Sequence, residues 1–74
     1  MDPQVVWEQL LDAYSDHDWD SVDEHATVLL EWLQKGGFPP QTVRHRELRP
    51  PANRLIVEAT CRLALERSME GGTA

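Results

Sequence analysis

Seventy-four residues make one domain, and a formal charge of −6 with 13 acids against 7 bases sets that domain apart from proteins that grip phosphate backbones or anionic lipid. A chain of this size buries only roughly 60% of the surface its unfolded form exposes, so its stability is marginal. The single cysteine, Cys61, excludes an internal disulfide and suits a reducing compartment.

The first helix is expected over about residues 3–15. Asp2 is a good N-cap, and Pro3 suits the first helical position, where its missing N–H would have no partner. Trp7, Leu10, Leu11 and Tyr14 recur at helical spacing, widened by Val6 and Ala13. Ser15, Asp16, His17 and Asp18 form a polar break.

The second helix is expected over about residues 19–35, capped either by Asp18 or by a Ser21–Glu24 capping box. Its apolar face is Val22, Ala26, Leu29, Leu30 and Leu33, extended sideways by Val28 and Trp32. Gly36 suits the left-handed position after the helix, and Pro39-Pro40 forbids continuation. A linker then runs to Pro50-Pro51, with room for one short helical turn between Val43 and Leu48. The third helix is expected over about residues 52–69, with Leu55, Ile56, Ala59 and Leu63 as its main apolar stripe and Val57, Cys61, Ala64 and Leu65 alongside. Glu58–Arg62 and Arg62–Glu66 stand four apart with opposite charge, the spacing of helical ion pairs. No segment alternates with period two. The fold class is therefore all-α: an antiparallel hairpin, a proline-bounded linker and a third helix across the hairpin, in one domain of residues 1–70 with a flexible tail at 71–74.

Trp7, Leu10, Leu11 and Tyr14, followed by His17-Asp18-Trp19-Asp20-Ser21-Val22, resemble a single degenerate tetratricopeptide hairpin over roughly residues 4–34. Leu11 stands in place of that family's small residue, and Ala26 in place of its bulky aromatic. The resemblance implies two antiparallel helices. It implies no peptide groove, because such grooves need about three stacked repeats.

Three groups of residues are candidates for function. Asp16, Asp18 and Asp20 copy the first ligands of a calcium loop, but Ser21 replaces the turn glycine and Thr27 the bidentate glutamate. His17 or His25 with these acids could hold a transition metal; helix capping is the expected role of the acids, and no metal or cofactor is assigned. Trp32, with Val28 beside it, is either a protein-binding anchor or packed under Phe38 and the linker. Arg44, His45, Arg46 and Arg49 either grip an acidic segment or phosphate, or face the acidic hairpin.

No catalytic constellation is present in the sequence, and three short helices rarely enclose a ligand pocket, so no enzymatic activity is expected. The start of the chain lacks a basic, apolar export signal, and no apolar run is long enough for a membrane span. The expectation is a cytoplasmic, non-catalytic interaction or accessory module, paired with a protein partner or with itself, and bound to neither nucleic acid nor membrane. Its candidate surface is Trp32, Val28, Arg44, Arg46 and Arg49. The alternative is a metal- or nucleotide-responsive regulator using the acidic loop or the arginine-rich linker.

Overall fold

The computed structural model describes residues 1–73, which form three helices: α1 (Pro3–Ser15), α2 (Trp19–Gln34) and α3 (Pro50–Thr73). Among the described residues there is no strand. Of the expected tail of residues 71–74, α3 takes in the backbone through Thr73, the side chains from residue 71 onward are not described, and residue 74 lies outside the described residues.

Asp2 caps α1, its carboxylate accepting from the Gln4 N–H at 3.0 Å, and Pro3 opens the helix. Asp18 caps α2 by accepting from the Ser21 N–H (3.4 Å) and hydroxyl (2.8 Å), which resolves the two alternatives for that cap. Both helices end the same way. At α1 the His17 N–H reaches the Tyr14 carbonyl and the Asp18 N–H the Ala13 carbonyl. At α2 the Gly36 N–H reaches Leu33 and the Gly37 N–H reaches Trp32. This double closure needs a left-handed residue between the bonds. Gly36 supplies it at φ +85°, and at α1 it is His17 at φ +56°.

The turn at Asp16–Asp18 is short enough to reverse the chain, and α2 becomes the central helix, packed by α1 on one side and α3 on the other. Its face of Val22, Ala26, Leu29 and Leu33 is almost fully removed from water. α1 contributes Trp7, Leu10 and Ala13 to the core, and α3 contributes Val57, Cys61 and Ala64.

The third helix departs from expectation in three ways. It starts at Pro50, because two prolines lacking N–H groups are tolerated in a first turn whose donors have no helical partner; the Arg49 carbonyl accepts from the Ala52 and Asn53 N–H groups. Its buried face is the flank of the expected stripe, with Val57, Cys61 and Ala64 in the core and Ile56 and Leu65 packed against it, and the stripe's centre turned outward. Leu55 is 69% and Leu63 62% exposed, and Ala59 is exposed, whereas Asn53 is 1% exposed. The inward row is Asn53, Val57, Cys61, Ala64 and Ser68, of which Ser68 is half-buried. Small side chains let α3 lie close on α2, and hydrogen-bonding residues anchor both ends of the row: Asn53 to the linker and Ser68 Oγ to the Trp19 carbonyl at 3.1 Å. Finally, neither Glu58–Arg62 nor Arg62–Glu66 forms. Glu58 pairs instead with Arg54 at 2.9 Å.

Between α2 and α3 the linker turns at residues 44–45 without forming the expected helical turn. Trp32 fixes its start. The indole N–H donates to the Phe38 carbonyl at 2.7 Å, and a Cβ on Gly37 would fall on the indole ring. The ring is half-buried beneath the Gly37–Phe38 backbone, while the Phe38 side chain is 77% exposed.

Candidate functional site: a clamped basic loop beside the first helix

The segment 42–47 has its base tied by amide side chains. Gln41 Nε2 donates to the Leu48 carbonyl (3.4 Å), and the Leu48 N–H donates to Gln41 Oε1 (3.2 Å), so one side chain bridges the two ends of the loop. From α3, Asn53 Oδ1 accepts from both the N–H (3.2 Å) and the hydroxyl (2.9 Å) of Thr42, and Asn53 Nδ2 donates to Leu48 (3.1 Å). From α1, Gln4 Oε1 accepts from the Gln41 N–H (2.8 Å) while Gln4 Nε2 donates to the Gln41 carbonyl (3.1 Å). The pattern leaves no buried polar side-chain atom unsatisfied among the described residues. It holds the loop against two helices and leaves its tip in solvent.

The tip carries Arg44, His45, Arg46 and Glu47, all exposed. With Gln4, Trp7, Glu8 and Leu11 of α1 and with Val43, they border an open cleft of about 470 Å³. Its wall is amphipathic: Trp7, Leu11 and Val43 are apolar, Glu8 is the acid on the helical side, and the loop supplies the cations. Neither Arg44, Arg46 nor Arg49 makes an ion pair among the described residues, so the expected contact with the acidic hairpin is not made by a salt bridge.

Of the basic residues singled out in the sequence, Arg44, His45 and Arg46 meet at this cleft. Arg49 lies at the N-terminus of α3, Val28 is exposed on α2, and Trp32 spends its indole N–H on the start of the linker. Packing of Trp32 under the linker is what the structure shows, through the Gly37–Phe38 backbone instead of the Phe38 ring. A second hollow of about 400 Å³ brings Pro39 of the first proline pair near Pro50 and Pro51 of the second, lined by these with Gly36, Gly37, Phe38 and Arg54. Asp18 is occupied as the cap of α2, and no three His, Cys, Asp or Glu side chains converge as metal ligands among the described residues. His17 instead lies tilted against Trp19, ring centres 5.5 Å apart, and Trp19 meets Tyr14 edge-on at 5.4 Å. Cys61 is buried, and that burial pushes its thiol up to about 11, which keeps it protonated and unreactive near neutrality.

Gln4, Gln41 and Asn53 were not legible as site residues. Each is an isolated amide with no motif, and what singles them out is the convergence of three distant segments. No helix among the described residues is long and apolar enough to cross a membrane. Comparison with family models, curated proteins and solved structures finds no match for this chain.

Proposed function

We propose that this chain is a non-catalytic protein-interaction module whose working surface is the cleft between α1 and the 42–47 loop. The carrying observation is the loop itself: Arg44, His45 and Arg46 stand without ion pairs among the described residues, beside apolar wall residues, on a segment held by hydrogen bonds from two helices. Pre-ordering a loop lowers the entropic cost of association. An acidic segment with one or two apolar side chains fits this chemistry: carboxylates for the two guanidinium groups and apolar contact for Leu11 and Val43.

The test is capture of partners from native lysate near physiological salt, comparing the wild type with an Arg44→Glu/Arg46→Glu double variant. The expected result is a reproducible heterologous protein that binds the wild type and is weakened at least about tenfold by charge reversal, with helical content unchanged. Equal recovery by both proteins, or no partner for either, would overturn the reading. The same arginines support a second reading, a nucleotide-responsive regulator. Calorimetric titration with nucleotides separates the two, because only the regulator gives a saturating heat that the double variant abolishes.

A further inference from the structure

We infer that the outward face of α3 is a self-association surface on which a second copy of this chain docks antiparallel. Two observations on the helix carry the inference, and neither involves the loop cleft.

The first is the apolar row Leu55, Ala59, Leu63. These residues stand at i, i+4 and i+8, so they form one ridge, and all three are exposed. The small Ala59 at its centre permits close approach of a second helix. Turning the ridge end for end about Ala59 places Leu55 opposite Leu63 of the other copy, and Leu63 opposite its Leu55.

The second is charge. The neighbouring ridge reads Arg54, Glu58, Arg62, Glu66, alternating in sign at every fourth residue. Turning this series about the same centre, Ala59, leaves Arg62 and Glu58 of the second copy two residues of helical rise apart, about 3 Å, within reach of their long side chains, with Glu58 exchanging its internal partner Arg54 for the second copy's Arg62. A parallel arrangement in register would instead set like against like. Arg62 and Glu66 make no ion pair among the described residues, although their spacing allows one. The segment 54–70 carries three arginines and three glutamates and is neutral, while residues 1–35 carry nine acids and one lysine. A face on α3 is therefore where two copies of a −6 protein meet with least repulsion. The geometry is isologous and closed, so it stops at the dimer. One helix face lies below the size of strong specific interfaces, which points to association in the micromolar range.

Sedimentation of the whole chain across micromolar to millimolar concentration tests this. A reversible monomer–dimer equilibrium is expected, weakened at least about tenfold by Leu63→Lys and by Arg62→Glu, and recovered when Glu58→Arg is added to Arg62→Glu. A monomeric mass throughout overturns the inference, as does a dimer that ignores all these substitutions. Because exposed substitutions can disturb folding, Ala59→Cys gives an independent readout. Position 59 lies near the two-fold axis, so mild oxidation should yield a disulfide-linked dimer, with buried Cys61 excluded by a Cys61→Ala background. Failure to cross-link at concentrations where dimer is populated also overturns the antiparallel docking.

Discussion

His17 holds a backbone conformation that costs a side chain about 1 kcal/mol, and it does so because the last turn of α1 needs a left-handed residue there. Histidine tolerates that region better than a β-branched residue does, and its ring recovers part of the cost against Trp19. Stability should therefore fall in the order His17→Gly, wild type, His17→Val, spanning about 1–2 kcal/mol in denaturant unfolding. An unchanged or more stable valine variant would show that the left-handed turn does not form in solution. The equivalent need at the end of α2 was visible in the sequence, because Gly36 announces it. At His17 no residue type does so, and only the bond from Asp18 N–H to the Ala13 carbonyl reveals the closure.

At the scale of elements, the two hairpin helices were readable because most of their large apolar residues fall on the buried face: Trp7 and Leu10 on α1, and Val22, Leu29 and Leu33 on α2, point inward, while Leu11 and Tyr14 of the expected α1 stripe stay exposed. On α3 the largest apolar residues and the buried face do not coincide. Ranking by size favours Leu55 and Leu63, whereas the observed rotation is set by Asn53 and by the small residues that fit against α2. A polar residue at the head of a buried row is invisible to hydrophobic periodicity, since its partners, Thr42 and Leu48, come from another segment. The loop cleft was half legible for the same reason. Its charges stand out in the sequence, and the amides that position them do not. Asn53→Ala removes three hydrogen bonds and leaves their partners at least partly sheltered, so a loss of about 2 kcal/mol is expected. The Thr42 amide should at the same time exchange much faster with solvent. Full stability with Thr42 still protected would mean that Gln4 and Gln41 hold the loop without help from α3.

Across the whole molecule, charge is segregated. The hairpin holds an excess of eight negative charges, and none of its acids makes an ion pair among the described residues. Such a body repels itself, and dissolved salt screens that repulsion over about 10 Å at 0.1 M. The melting temperature should therefore rise by about 4–8 °C from low to moderate salt, equivalent to roughly 1 kcal/mol in a domain of this size. A melting temperature that falls with salt would indicate that favourable pairs, instead of repulsion, dominate the surface.

The tied base of the 42–47 loop also makes its tip an exchangeable cassette. Gln41, Leu48 and Asn53 close the segment from outside it, and Thr42 adds one anchor at its edge, so the fold asks almost nothing of residues 43–47. Their side chains are free to drift or be redesigned without cost to the helices, and binding preference can change on this scaffold while the fold stays as it is.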